Sequence, residues 1–157
     1  MKYYIKQKVF SWTDTFTIWD GDGNVVYEAK GELFSWGHKL HVRDTGGSEC
    51  AYIEQKLLTF LPKYDIYAAG KPCVRLIKEF TFFKPRYSLD GLPWTIEGDL
   101  WAHEYRIQNA GYEVARISKQ WLTWGDCYEI YAPRDDDAFM ALCVTLAIDC
   151  VMCEHNK

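Results

Sequence analysis

The sequence predicts a mainly β fold: a closed antiparallel β-barrel of about twelve strands, in two duplicated halves, that encloses one C-terminal hydrophobic helix. Short segments rich in alternating and aromatic residues, bounded by turn residues, occupy positions 2–132 and are typical of β-strands. Segments of the first half recur in the same order in the second half. The segment at about 136–153 has helical length and is apolar on almost every side.

The strand segments follow one another closely along the chain. In order they are YYIKQKVFSW, FTIW, NVVYEAK, KLHVRD, CAYIEQKL, YDIYAA, VRLIKEFTFF, RYSLD, WTIEGDL, EYRIQNA, YEVARISK and CYEIYA. DGDGN, between the second and third segments, is a strong hairpin signal because Gly and Asn accept positive φ at little cost. The connections are too short for helical crossovers, so the sheet is predicted to be antiparallel.

An internal repeat relates the two halves. GELF at 31–34 precedes HVRDTG, IEQKLLTF and YDIYA, while GDLW at 98–101 precedes RIQNAG, ISKQWLTW and YEIYA. General similarity among β-hairpins is one explanation of this likeness. The conserved order and offset favour a duplication, with about six strands in each half.

The C-terminal segment predicts a helix that other elements surround. The run from Asp135 to Asp137 suits its N-terminus, and between Ala138 and Cys153 only Thr145 and Asp149 are polar. A barrel of about twelve strands leaves room for a helix roughly 10 Å across. A membrane tail anchor is the competing interpretation, and both the length of the segment and Asp149 argue against it. We expect a polar partner for Asp149 inside the barrel.

Length, composition and net charge limit the kinds of protein that this chain can be. The 157 residues suffice for one domain, 1–157, with a single core. The N-terminal sequence lacks a signal-peptide pattern, and no stretch reaches the roughly 18 apolar residues of a spanning helix. We therefore expect a cytoplasmic protein that is not integral to a membrane and keeps its six cysteines reduced. The net charge of −4 gives no general attraction to nucleic acid or to an anionic membrane, and a local basic patch is the alternative source of attraction. We expect no nucleic acid as a partner.

Duplicated β halves followed by a buried helix resemble the Tubby C-terminal-like fold. Within that fold the chain is similar to the LURP-one-related family of small proteins. The paired segments above, FTFFKPRYSLDG at 80–91 and the helix AFMALCVTLAID carry this resemblance, which covers essentially the whole chain. Relatives on this fold include phosphoinositide-binding Tubby domains and phospholipid scramblases. The resemblance thus implies a fold more than an activity.

Cysteine spacing raises the question of a metal site. Cys143, Cys150 and Cys153 share one helical face, and His155 follows them. One helix supplies converging tetrahedral ligands poorly, and no second CxxC is present, so we favour cysteines that pack as small hydrophobic residues. The sequence contains no nucleophile, phosphate-loop or dinucleotide motif. We expect no catalytic site, no metal and no cofactor.

Basic residues near the start of the second half suggest a binding site. Lys78, Lys84 and Arg86 share parity, and if the strand is regular they face one side of the sheet and hold a phosphate or a lipid headgroup. A solvated face without a ligand is the alternative. Trp36 and Trp94 are candidate interfacial anchors at the barrel rims.

Two classes of function follow from these observations. The first is a non-enzymatic binding module for an anionic phospholipid or another phosphate-bearing ligand. The alternative is a structural scaffold that contacts a protein partner, and an enzyme of unrecognised type is a third interpretation.

Overall fold

The computed structural model describes residues 1–7, 15–32, 36–122 and 125–155. These residues form twelve strands and one helix. The elements are β1 Lys2–Gln7, β2 Thr15–Asp20, β3 Val25–Gly31, β4 Lys39–Asp44, β5 Glu49–Gln55, β6 Lys63–Ala68, β7 Val74–Lys78, β8 Tyr87–Asp90, β9 Thr95–Asp99, β10 Glu104–Asn109, β11 Tyr112–Leu122, β12 Gly125–Tyr131 and α1 Asp135–His155. The predicted strand number and the C-terminal helix are confirmed.

The strands form a closed barrel in which each strand pairs with its neighbours in the chain. Every pairing is antiparallel, and β1 closes the barrel against β12 with Lys2 opposite Tyr131. The amino group of Met1 donates a hydrogen bond to the carbonyl oxygen of Ala132 at 3.0 Å. Among the described residues every strand has a neighbour on both sides, and the junction of β8 with β9 is the narrowest, with the single pair Ser88 and Thr95. Closure of this kind limits the strand edges that are open to association.

The inner wall of the barrel follows from the alternation of side chains along each strand. In β2, β4 and β5, buried residues alternate with more exposed ones, as expected for a sheet with one face in the core. Branched aliphatic side chains predominate among the fully buried residues of the wall: Ile5, Ile18, Val42, Ile53, Ile66, Leu76, Ile107, Val114, Ile117 and Ile130. These side chains line the space that helix α1 fills.

Helix α1 is surrounded by the barrel, as the sequence predicts. All residues from 141 to 149 are buried, and Leu142 and Leu146 have no exposed surface. A helix lying on one face of a sheet would expose a polar residue at every third or fourth position. Large apolar side chains toward the two ends of the helix, Phe139, Met140 and Met152, are half-buried. The absence of an exposed stripe therefore reflects a helix with wall on every side.

Equivalent positions of the repeat occupy equivalent places in the barrel. YDIY of the first half lies on β6 and YEIY of the second half lies on β12, six strands later. His38 directly precedes β4 and its ring lies 6.4 Å from that of Tyr64. His103 directly precedes β10 and stacks on Tyr128 at 4.6 Å. Each half thus places a histidine beside the first tyrosine of its YxIY segment.

The two polar side chains inside the helix both have partners. Thr145 Oγ1 donates to the carbonyl oxygen of Ala141 at 2.8 Å. The hydroxyl of Tyr128 donates to one carboxylate oxygen of Asp149, and His103 Nε2 lies 3.2 Å from the other. Burial and then the charge of Asp149 raise the pKa of Tyr128 far above its ordinary value, so the phenol stays protonated and donates. The expected polar partner of Asp149 is confirmed.

The largest difference from the predicted strand boundaries lies at the end of β7. The predicted strand VRLIKEFTFF ends early, because β7 stops at Lys78 and residues 79–86 form a connection. The amide of Glu79 donates to the carbonyl of Arg86 at 2.8 Å, which closes this connection where the predicted strand would have continued. The first predicted strand, YYIKQKVFSW, is observed as far as Gln7, and its remainder lies outside the described residues.

Substitution of Leu146 tests the enclosure of the helix. Leu146→Ala should lower the free energy of unfolding by about 2–5 kcal/mol, because the closed wall cannot collapse onto the resulting cavity. Leu57→Ala, at a half-exposed position outside the barrel wall, is the matched control and should cost under about 1 kcal/mol. Reversible urea unfolding measures both values. Equal losses for the two variants would contradict the enclosed helix.

Substitution of Tyr128 tests the bond to the buried carboxylate. Tyr128→Phe should cost about 1–3 kcal/mol of unfolding free energy, because it leaves a buried acceptor without its donor. In an Asp149→Ala background the same substitution should cost less, since the acceptor is already gone. A double-mutant cycle by urea unfolding measures the coupling. If the losses of unfolding free energy from the two single substitutions add up to the loss in the double variant, the pair does not stabilise the fold.

Candidate functional site

The two ends of the barrel are built from alternate connections. Because successive strands run in opposite directions, every second connection lies at the same end. The end where α1 stops, which we name the C-rim, carries Trp36 and the connections 56–62, 79–86 and 100–103. The end where α1 begins, which we name the N-rim, carries the connections 21–24, 45–48, 69–73 and 91–94. The contact of Asp149 with His103 ties the later part of the helix to the C-rim.

The most exposed apolar side chains that the structure describes are concentrated at the C-rim. We name them the rim hydrophobic residues: Trp36, Leu58, Phe60, Phe80, Phe82, Phe83 and Trp101. Their exposed fractions range from 65% for Trp101 to 106% for Leu58. Away from the C-rim, the most exposed large hydrophobic residue described is Met1, at 46%. Clustered exposed apolar residues mark a surface that interacts with another body, so the C-rim is the candidate functional site.

The connection 79–86 holds its phenylalanines outward in an ordered arrangement. The hydroxyl of Thr81 donates to the carbonyl oxygen of Lys84 at 2.7 Å and fixes the turn. The rings of Phe80 and Phe82 meet edge to face, with centroids 5.2 Å apart. Pro85 cannot donate to a strand ladder, which suits a connection rather than a strand. The apolar side chains are thus displayed by a built turn.

The connection 56–62 stands beside it. The amide of Lys56 donates to the carbonyl of Lys63 at 2.8 Å and closes this loop at its base. Leu58 has φ 61°, a left-handed conformation that is rare for a leucine, and its side chain points away from the wall. The amide of Lys78 donates to the carbonyl of Pro62 at 3.0 Å, so the two connections leave the wall side by side.

The structure places the predicted ligand-binding residues on this surface. Lys84 and Arg86 are exposed on connection 79–86, and Lys78 is half-buried at the end of β7. Arg86 Nε lies 3.9 Å from Glu79, a distant and exposed ion pair. The premise of a regular strand is wrong for Lys84 and Arg86, because neither lies in β7 or β8. Their nearness follows from the turn and not from strand parity.

Basic residues outnumber acidic ones in the two connections and the residues that flank them. Segments 56–63 and 78–86 contain five Lys or Arg and one acidic residue, Glu79, in a chain of net charge −4. Lys56 is drawn inward, toward Glu54 at 3.4 Å and Asp65 at 3.9 Å. Connections 56–62 and 79–86 therefore combine projecting apolar side chains with an excess of basic residues at their bases.

The two tryptophans predicted as rim anchors have different environments. Trp36 is 87% exposed at the C-rim, which fits the anchor prediction. Trp94 is 7% exposed and belongs to the hydrophobic core, so its assignment as an anchor is wrong. Trp94 ends the connection before β9 and turns inward there, an orientation that strand patterning does not specify.

The cysteines of the helix do not share one environment. Cys143 is fully buried, and burial raises the pKa of its thiol. Cys150 is half-buried and packs against the core, less enclosed than predicted. The side chain of Cys153 lies outside what the structure describes. Within the described residues, no group of three or more His, Cys, Asp and Glu side chains is arranged to hold a metal ion.

Sequence reasoning missed part of the C-rim. Side-chain patterns do not mark Leu58, Phe60 or Trp101 as exposed, and they predict a strand for the phenylalanines of 79–86. A signal is present in KLLTFLPK and KEFTFFKPR, two apolar runs that are each flanked by basic residues and followed by a proline. The order of strands in the barrel places these two similar segments on neighbouring connections at the same end.

An ion pair on the outer wall lies below connection 56–62. Arg75 Nε donates to Asp65 Oδ1 at 2.7 Å, and the carboxylate is almost completely buried. The Arg75 hydrogen bonds hold the pKa of Asp65 below its ordinary value of 3.8. A carboxyl group with a lowered pKa in the folded state stabilises the fold above its ordinary pKa and loses that effect as the pH falls through the lowered value.

Asp65→Asn should therefore destabilise the protein in a pH-dependent manner. At neutral pH we expect a loss of about 1.5–3 kcal/mol, typical of a hydrogen bond to a charged group. The difference from wild type should shrink as the pH falls below 3.8. Urea unfolding across this range measures it, with Asp22→Asn, an exposed carboxylate at the N-rim, as control. A difference that stays constant down to strongly acid pH would contradict the ion pair.

Comparison with known proteins agrees with the fold. No helix among the described residues is both long and hydrophobic enough to cross a bilayer. The chain is similar in fold to a protein from Arabidopsis thaliana solved by X-ray crystallography, with a TM-score of 0.62 and 14% identity over 94% of this chain and 90% of that one. At this identity the likeness concerns the fold alone.

Sequence comparison defines the family. The chain is 35% identical over 152 residues to YxjI, an uncharacterized protein of Bacillus subtilis (strain 168), and the match covers 97% of this chain and 94% of YxjI. The family model described as LURP-one-related matches residues 1–149. The family expected from the repeated segments and the buried helix is thereby confirmed, and the chain belongs to the LURP-one-related family.

Proposed function

We propose that this protein is a non-enzymatic binding module whose C-rim takes a phosphate-bearing anion through Lys84, Arg86 and Lys78. The observation that carries the proposal is the exposure of Lys84 and Arg86 on one ordered turn, in a region of net positive charge. Cationic side chains of this kind make strong, charge-assisted hydrogen bonds to phosphate oxygens. The phosphate group is shared by lipid headgroups and by free phosphate esters.

The interior of the barrel supports a binding role over catalysis. Helix α1 fills the space in which a barrel of this size would hold a deep ligand pocket. Acid–base side chains are present in the interior: Asp149, His103 and Tyr128. Asp149 and Tyr128 are buried and hydrogen-bonded to each other, which accounts for their role in packing the helix. We therefore assign the contact with other molecules to the C-rim.

The double substitution Lys84→Ala with Arg86→Ala tests the proposal. Partition onto vesicles of equal parts phosphatidylglycerol and phosphatidylcholine should fall about ten- to thirtyfold, because each basic residue near an anionic surface contributes about 1 kcal/mol. Flotation of the vesicles measures the bound fraction. Affinity for soluble glycerol phosphate, measured by calorimetry, should fall as well.

Arg43→Ala with Lys71→Ala is the matched control. It removes the same charge from exposed positions near the N-rim and should leave partition nearly unchanged. The unfolding midpoint should be equal in all variants, and added salt should weaken binding of the wild type. If the wild type binds neither vesicles nor glycerol phosphate at low salt, the proposal is wrong and the protein-contact scaffold is the better interpretation.

A further inference from the structure

We infer that the C-rim is a membrane-docking face, on which connections 56–62 and 79–86 insert their apolar tips among the lipids of an anionic bilayer. The inference rests on the proposed function and deepens it, because it names the bilayer as the source of the phosphate groups. The basic residues at the base of the connections then lie at the level of the headgroups. Trp36 and Trp101, on neighbouring connections, lie at the interface.

The rim hydrophobic residues are clustered and exposed, which favours a partner that removes them from water. Phe60, Phe82 and Phe83 are 93%, 84% and 89% exposed, and all three stand on the two adjacent connections. Phenylalanine at such positions places a large apolar surface in contact with water. Insertion into the acyl region of a bilayer removes that surface from water without any rearrangement of the barrel.

The two connections are built to present these side chains. Backbone hydrogen bonds close each connection at its base, Lys56 to Lys63 and Glu79 to Arg86. The left-handed conformation of Leu58 is energetically unfavourable for a branched aliphatic residue and turns its side chain outward. The unfavourable backbone conformation of Leu58 has a function if its exposed side chain becomes buried when the C-rim binds a bilayer.

The kind of basic residue favours a lipid surface over a protein partner. Of the five basic residues in segments 56–63 and 78–86, four are lysines and one is arginine. Lysine is depleted in protein–protein interfaces, where arginine is enriched. Lysines combined with exposed aromatic residues are typical of segments that lie in the membrane interface.

The charges of the opposite rim orient the barrel. Acidic residues of the N-rim outnumber its basic residues, among which are Lys2, Arg43, Lys71 and Arg134. The acidic residues stand at strand ends, on connections and at the start of helix α1: Asp20, Asp22, Asp44, Asp90, Asp135, Asp136 and Asp137. An anionic surface attracts the basic connections 56–62 and 79–86 and repels the excess negative charge of the N-rim. The difference in charge between the two rims therefore turns the barrel so that the phenylalanines of the C-rim face the lipid surface.

Phe82→Ala with Phe83→Ala separates insertion from anion binding. Its partition onto the phosphatidylglycerol vesicles should fall by at least about tenfold, while its affinity for soluble glycerol phosphate stays unchanged. Val25→Ala, at an exposed apolar position of the N-rim, is the control and should leave partition unchanged. The unfolding midpoint of the double variant should equal that of wild type, because both residues lie outside the core.

A depth measurement provides the second readout. Phosphatidylcholine that is brominated on its acyl chains quenches the fluorescence of tryptophans inserted among those chains. We expect such vesicles to quench the fluorescence of Phe82→Trp to a greater extent than that of the wild type. Val25→Trp at the N-rim should show no such increase. Absence of extra quenching in Phe82→Trp, or full partition of the Phe82→Ala and Phe83→Ala variant, overturns the inference.

The outcomes distinguish this inference from the proposed function on which it rests. A wild type that binds glycerol phosphate but not the vesicles overturns membrane docking and leaves the anion site standing. A wild type that binds neither overturns both. Sedimentation showing a lipid-free dimer that Phe82→Ala with Phe83→Ala dissociates would identify a second copy of this chain as the occupant and overturn the membrane inference.

Discussion

Complete enclosure of helix α1 is the constraint on which the rest of the structure depends. Residues 141 to 149 are buried without interruption, so the helix has no face that water can cover. A helix roughly 10 Å across needs a wall with a larger circumference than an eight-stranded barrel offers. The twelve strands and the closure of β1 on β12 supply that wall. The helix in turn fills the space that would otherwise be a void in the core.

The two similar halves of the barrel differ in their polar contacts with the single helix α1. His38 and Tyr64 in the first half correspond in position to His103 and Tyr128 in the second. Asp149 contacts the second pair through both carboxylate oxygens. A buried carboxylate requires hydrogen-bond donors, and these donors fix the rotation of the helix within a wall whose aliphatic lining alone would permit several orientations.

Helix α1 fills the interior of the barrel, so our proposal assigns recognition to the ends of the barrel. The strands are committed to the wall and to the helix, so connections are the segments that can vary without unfolding the core. The two rims differ in charge and in apolar exposure, and this difference gives the molecule a direction. We propose that the C-rim, whose connections 56–62 and 79–86 carry basic residues and projecting phenylalanines, is the end that meets an anionic surface.

Strand number, the helix and the order of the repeat are predictable from the amino-acid sequence, because side-chain alternation and helical apolarity are local patterns that any buried wall or core must repeat. The nearness of Lys84 and Arg86 follows from their nearness in the chain. Three further features depend on the folded barrel: 79–86 is a connection, Trp94 is buried, and Phe60 and Phe83 stand on the same rim. Those features depend on which strand ends meet across a closed barrel and on contacts such as Lys78 to Pro62. Local periodicity carries no information about either.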